Sequence, residues 1–163
     1  MKGFEAETEV HPVNGLSIDG SVSYLDFMYT SLLPGVSGPG GVQIGMVTPY
    51  TPKWKWSVGV QYEIPVGEKG GSLTPRLDAA YQSGVFTNAV NGPANAINAY
   101  TILNGRLTWR APANDWQASL EVTNLANKYY KLTVFDLSSI GAGFTNAQPG
   151  MPREWAVTVK KTF

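Results

Sequence analysis

From Lys53 to Ile64 the chain alternates without interruption: Trp54, Trp56, Val58, Val60, Tyr62 and Ile64 against Lys53, Lys55, Ser57, Gly59, Gln61 and Glu63. Extended backbone sends successive side chains to opposite faces, whereas a helix would scatter the apolar set around its circumference. The segment therefore reads as a strand with one greasy and one polar face. Met151 to Phe163 repeats the plan, with Trp155, Val157, Val159, Lys161 and Phe163 facing one way and Glu154, Ala156, Thr158, Lys160 and Thr162 the other. An aromatic at each end of the apolar face is what a bilayer-crossing strand needs at its two interfaces.

The same period recurs along the chain. Phe4, Ala6, Thr8 and Val10 alternate with Glu5, Glu7 and Glu9, and the Asn14-Gly15 turn leads into a strand expected from Leu16 to about Tyr29. Further strands are expected over 73–87, 100–110 and 116–130, which makes seven with the four above and no helix. Pro75 falls on the apolar face of its strand, an unusual place for a residue without an N–H. The 18 Gly and 11 Pro punctuate these runs, as many short strands require. Connections alternate in length: short at 11–15, 65–72 and 111–115, long at 31–49, 88–99 and 131–150. The long ones show neither period and are expected to be irregular.

Composition closes off other classes. Twelve basic and twelve acidic side chains cancel, so no basic field points to nucleic acid. No cysteine is present for a disulfide, a thiolate metal site or a thiol nucleophile. No run of eighteen apolar residues offers a helical span, and Met1-Lys2 leads into GFEAETEV rather than a secretory signal. On that reading the chain is either cytosolic or a piece of something longer. Catalysis finds no support: His11 is the only histidine and lies in a tight turn, and Gly67–Gly71 lacks the spacing of a phosphate loop. Glu5, Glu7 and Glu9 read as polar-face groups awaiting basic neighbours rather than as an acid/base set. No catalytic residue, metal or cofactor is expected.

Two architectures fit the pattern. Leu16 to Tyr24, Trp54 to Tyr62, Leu73 to Tyr81 and Trp155 to Phe163 are each eight residues apart on the apolar face. At roughly 3.3 Å per residue and a tilt near 40°, that spans about 20 Å, close to the apolar band of a membrane β-barrel. Tyr24, Trp54, Trp56, Tyr62, Tyr81, Trp109, Trp116 and Trp155 would then mark the membrane interfaces. The alternative is a soluble β-sandwich that binds carbohydrate, with Trp54, Trp56 and Trp109 as stacking platforms.

Three short runs carry a resemblance to a known family. Asn124-Leu-Ala-Asn-Lys-Tyr-Tyr130 resembles the Asn-Leu-Phe-Asp-Lys-x-Tyr signature near the C-terminus of TonB-dependent outer-membrane receptors. Gly150-Met-Pro-Arg-Glu-Trp155 resembles the Gly-x-Pro-Arg-x-aromatic lead-in to their last strand, and Gly3-Phe-Glu-Ala-Glu7 is similar to the opening of an earlier strand. Terminal Phe163 matches the assembly signal of those barrels. Ala126 stands where Phe is usual, and Lys161 where an apolar residue is usual, although a lysine at a membrane edge can snorkel.

The resemblance implies an all-β antiparallel up-and-down meander, residues 1–163 forming the C-terminal portion of a barrel of about twenty-two strands. It implies a plug domain and motor-coupling box absent from these residues, and seven strands that cannot close alone. The implied partners are outer-membrane lipid, the remaining barrel and plug, the TonB energy-coupling complex and the barrel-assembly machinery. The implied activity is energised uptake of a siderophore-iron complex, cobalamin or an oligosaccharide across the outer membrane of a Gram-negative bacterium. Extracellular loops would contribute to recognition, with Tyr50, Phe86, Asn88, Asn91, Asn95, Phe135, Asp136 and Phe144 as candidate contacts.

Overall fold

The computed structural model describes residues 1–35, 40–138, 141 and 143–163. Seven long strands form it: β1 (Lys2–Val10), β2 (Leu16–Asp26), β3 (Trp54–Tyr62), β5 (Ser72–Gln82), β8 (Tyr100–Arg110), β9 (Trp116–Thr123) and β12 (Glu154–Lys161). Each pairs antiparallel with its neighbour along the chain in the order β1-β2-β3-β5-β8-β9-β12. The two-residue strand β4 (Ile64–Pro65) extends the β3 side of β5. This is the expected meander, an incomplete barrel wall with tight turns at one end and long connections at the other.

Three strands stop short of their expected ends. β2 ends at Asp26 rather than Tyr29, where the Asp26 carboxylate meets Lys2 and Lys53 at 3.7 and 3.5 Å. β5 ends at Gln82 rather than Thr87, because Ser83 turns back to hold Trp54: its N–H donates to the Trp54 carbonyl and its hydroxyl accepts the Trp54 N–H. β9 ends at Thr123 rather than Tyr130, because Asn124 adopts φ 50°, a left-handed conformation no strand tolerates.

The long connections also carry more structure than expected. Residues 131–150 contain a hairpin of β10 (Lys131–Asp136) and β11 (Thr145–Pro149), not an irregular loop. The second connection holds β6 (Val85–Phe86) paired with β7 (Ala96–Ile97) around a 3-10 turn at Pro93–Asn95. A single helical turn, Gly67–Gly70, interrupts the short connection before β5. The expected loop 31–49 falls partly on residues 36–39, outside the described residues.

Register puts the alternating residues on common faces across the sheet. Trp54, Trp56, Val58 and Val60 align with Tyr24, Val22, Gly20 and Ile18 on one side, and Trp56, Val58 and Val60 with Tyr81, Ala79 and Leu77 on the other. This apolar face is uncovered: Leu77 is 51% exposed, Val157 74% and Val159 62%. A sandwich would bury these side chains under a second sheet, and no such sheet exists among the described residues. Trp109 stands at the turn end, opposite Leu73 and Ala118, while Trp54 and Trp56 stand at the loop end. The three tryptophans thus form no shared carbohydrate platform.

The chain exposes 10,876 Å². A compact monomer of its mass, 17.6 kDa, would expose about 7,900 Å². The excess, about 3,000 Å², is the signature of a sheet whose two faces and two edges lack their cover.

Two residues inside strands have local reasons. Continuing the β3–β5 and β4–β5 registers places Pro75 opposite Tyr62, where the ladder breaks between Gln61–Arg76 and Ile64–Leu73 for want of a proline N–H. Gly59 lies beneath the Arg76 guanidinium and the Asp19 carboxylate, and a Cβ there would collide with both.

Candidate functional site

The polar face and the long-loop end hold the groups able to meet a ligand. At the centre of the polar face Arg76 of β5 binds Asp78 of its own strand through Nη2 at 2.6 Å and reaches across β3 to Asp19 of β2 through Nη1 at 2.8 Å. The fork of a guanidinium suits this double engagement, which an ammonium could not reproduce. Arg106 and Glu121 pair at 3.2 Å between β8 and β9, and the Ser21 and Ser57 hydroxyls bond at 2.8 Å between β2 and β3. These bonds stiffen a wall that would otherwise be held by backbone ladders alone.

At the long-loop end the three connections lock together. The Asn91 side chain donates to the Val47 carbonyl at 2.9 Å and accepts the Val47 N–H at 2.6 Å, a reciprocal pair allowed by its own left-handed φ of 55°. The Tyr50 N–H donates to the Phe86 carbonyl, and the Thr87 hydroxyl donates to the Val134 carbonyl at 2.6 Å. Beneath them Val85, Ile97 and Val134 form a small buried cluster with Tyr100 and Ala147 against it. This buried apolar cluster thus lies within the loops, apart from the broad apolar face of the sheet.

The candidate contacts divide by this arrangement. Asn91, Asn88 and Asn95 are engaged in loop scaffolding: Asn88 accepts the Asn91 N–H, and buried Asn95 accepts from Thr87. Phe86 is half-buried, whereas Tyr50, Phe135 and Phe144 are 52%, 64% and 53% exposed. Tyr50 is held at φ 53° with its hydroxyl 2.5 Å from that of Thr133, so loop strain presents its ring. Nothing in the sequence singles out Thr133, one hydroxyl in an ordinary strand. Asp136 accepts from the Ser138 hydroxyl and N–H and from the Thr145 hydroxyl, which hold its carboxyl below the usual carboxylate range. A groove of about 550 Å³ runs below Tyr50, lined also by Glu5, Ser23 and Lys55 of the polar face. Among the described residues no group of three or more His, Asp or Glu is placed to hold a metal.

The aromatics of the apolar face fall at two levels. Phe4, Tyr24 and Trp54 pack together at the loop end with centroids 4.6 to 5.9 Å apart, and Trp56 stacks on Tyr81 at 5.5 Å. Lys53 sits above Tyr24 with its ammonium stabilised chiefly by Asp26, which raises its pKa. At the turn end stand Tyr62, Trp109, whose indole donates to the Gly70 carbonyl, and Trp116, with the Lys161 ammonium over both the Trp116 and Phe163 rings. Trp155 begins the last strand opposite Val122, nearer the loop end.

The two C-terminal runs that stood out in the sequence are in contact. Asn124, 2% exposed, accepts the Lys128 N–H at 2.8 Å and donates to the Lys128 and Met151 carbonyls at 2.9 and 3.0 Å. Asn127 accepts the Arg153 N–H, and Tyr130 lies flat over Gly150, where any Cβ would collide with the ring. Each asparagine uses a left-handed backbone to turn the chain and a side chain to bind the other run. Together they clamp the base of the third connection where β12 begins.

Residues 1–125 match the family model described as TonB dependent receptor-like, beta-barrel. No curated protein matches the chain. Among solved structures, the ferric yersiniabactin uptake receptor FyuA of Yersinia pestis superposes with a TM-score of 0.77 at 20% identity, over 99% of this chain and 23% of that one. The siderophore receptor PiuA of Acinetobacter baumannii gives 0.72 at 20% identity, over 96% and 21%. BauA, the ferric preacinetobactin receptor of the same organism, gives 0.72 at 22%, over 98% and 21%. The chain thus spans about a fifth of the length of these receptors. On the match to its sequence and on a fold those barrels share, the chain belongs to the TonB-dependent receptor family, in its β-barrel domain.

Proposed function

We propose that residues 1–163 are a C-terminal stretch of the barrel wall of a TonB-dependent receptor in the outer membrane of a Gram-negative bacterium. The whole receptor takes up a scarce nutrient of the ferric-siderophore class and moves it without transforming it. The observation that carries this reading is the uncovered apolar face bounded by two levels of aromatic rings, with polar, cross-linked side chains behind it. Such a face is stable against hydrocarbon and costly against water. Three structural relatives that take siderophores support that class over cobalamin or an oligosaccharide.

Family membership supports the partners: lipid on the apolar face, a plug and further strands on the polar side and edges, the TonB complex for energy, and an assembly machinery. Among the candidate contacts, Tyr50, Phe135 and Phe144 are the exposed aromatics that would stack on a ligand, with Asp136 next to Phe135 in sequence.

The test is tryptophan emission of the purified chain, in buffer and refolded in detergent micelles, with lipid-phase quenchers added to the micelles. Blue-shifted, quenched emission confined to micelles is expected from Trp54, Trp56, Trp109, Trp116 and Trp155. A cooperative fold in plain buffer with no quenching by lipid overturns the reading.

A further inference from the structure

On the seven long strands, charged side chains reach the apolar face at only two places. At the loop end Lys2 and Asp26 stand opposite each other across β1 and β2, and Lys53 joins them, so that each ammonium lies within 3.7 Å of the Asp26 carboxylate. At the turn end Lys161 stands opposite Trp116 across β12 and β9, on the face of Trp155, Val157 and Val159. None of the ion pairs among the described residues includes Lys161. Asp115 precedes Trp116, but its contact with this end of the chain is through the backbone, its carbonyl accepting the Thr162 N–H. The Lys161 ammonium lies instead 4.9 Å from the centroid of the Trp116 ring and 5.0 Å from that of Phe163.

The two rings hold this charge in place without neutralising it. A ring attracts a cation through its quadrupole, which carries no net charge and fills none of the three hydrogen-bond donors of an ammonium. The Trp116 indole N–H is a further donor, and unlike that of Trp109 it meets no acceptor among the described residues. Lys161 is two residues from Phe163, about 5 Å along the membrane normal from the level of that ring. A lysine stem is long enough to carry its head across that distance to the headgroups. Donors gathered by aromatic rings at the edge of the hydrocarbon fit an acceptor of negative charge with several oxygens, at a level that lipid occupies. We propose that Lys161, Trp116 and Phe163 form a site for the phosphate of an anionic phospholipid headgroup, in the leaflet at the turn end. The site rests on the barrel-wall reading above and adds to it a choice among lipids. The loop-end lysines already have a carboxylate beside them, so the choice is confined to the turn end.

The experiment uses the full chain, isotope-labelled at its tryptophan indole nitrogens and refolded in micelles of an uncharged, phosphate-free detergent, an alkyl maltoside. The variant W116F identifies the Trp116 indole resonance in the magnetic resonance spectrum. Phosphatidylglycerol is expected to shift that resonance saturably, with half-saturation at about five-fold lower concentration than phosphatidylcholine, whose headgroup has no net charge. The Trp54 resonance at the loop end shows no such difference. The preference shrinks at high salt, persists in K161R and is lost in K161M, which keeps a long unbranched stem on the apolar face. Equal affinities for the two lipids, a preference that survives K161M, or the same shift from inorganic phosphate without lipid overturns the proposal. Lipid-phase quenching of tryptophan emission on the same samples reports on the barrel-wall reading separately. Quenched tryptophans with no phosphatidylglycerol preference remove the headgroup site and leave the wall, whereas unquenched tryptophans remove the wall reading itself.

Discussion

Replacing Asn124 by Ala tests whether the two C-terminal runs act as one clamp. The substitution removes three hydrogen bonds, to the Lys128 N–H and to the Lys128 and Met151 carbonyls, at a residue 2% exposed. At a net value of about 1 kcal/mol each, these bonds sum to about 3 kcal/mol. Alanine must also hold the left-handed φ of 50° that asparagine tolerates, which adds about 1 kcal/mol. Asn124→Ala is therefore expected to cost about 4 kcal/mol, and Asn124→Gly, which keeps the backbone freedom, about 3. Asn127→Ala, which gives up one bond to the Arg153 N–H at an exposed site, should cost about half as much or less. The assay is urea unfolding in micelles, followed by tryptophan emission and far-UV circular dichroism on each variant. A loss below about 1 kcal/mol for Asn124→Ala refutes the argument, since one ordinary hydrogen bond would exceed it. Equal losses for Ala and Gly would remove only the backbone part.

Two further expectations follow from the same geometry. Val159 lies midway between Trp155 and Phe163 on the apolar face, so Val159→Arg should cost about 2 to 4 kcal/mol in lipid, whereas Thr158→Arg on the polar face should cost little; equal costs in refolding titrations would contradict the assignment of faces. The lowered pKa of Asp136 makes its contribution to the β10–β11 hairpin fully present above the unfolded value of about 3.9 and lost as pH falls through the depressed one. Amide exchange at Ser138 and Thr145 should accelerate only on the acid side of that window, and a hairpin insensitive to acid, or unaltered in Asp136→Asn, would show that the carboxylate does not order it.

The seven long strands were legible because each faces two different surroundings, and a period of two is the only pattern that serves both. Even the Pro75 warning was sound: the strand forms, and the missing rung lies beside the proline. Strand ends were less legible, because they depend on single events such as the φ of Asn124 or the return of Ser83 to Trp54. The inner hairpin was hidden because Thr145–Pro149 has no alternating pattern and pairs with β10 through a register shift near Lys131. Among the candidate contacts, chemistry marked the right residue types, but nothing local separates an asparagine that meets a ligand from Asn91, which ties one loop to another. The pairing of the two C-terminal runs could not be read from either alone, since each supplies the partner of the other.

That pairing also sets how the last strand finds its place. Thirty residues lie between Thr123 and Glu154, which are partners across β9 and β12. Closing such a ring in one step would cost about 3 kcal/mol of chain entropy, apart from a constant. Here the ring is built from nested rungs: Leu137 to Phe144, then Asp136 with Thr145 through Lys131 with Pro149, then Gly150 to Tyr130, then Asn124 to Met151. Each rung encloses only a few more residues than the one inside it, so a connection of high nominal contact order can zip from tip to base as a series of local steps. The stalk that results delivers Glu154 beside Thr123 already in register, and the final strand needs no search along the sheet edge to find its neighbour.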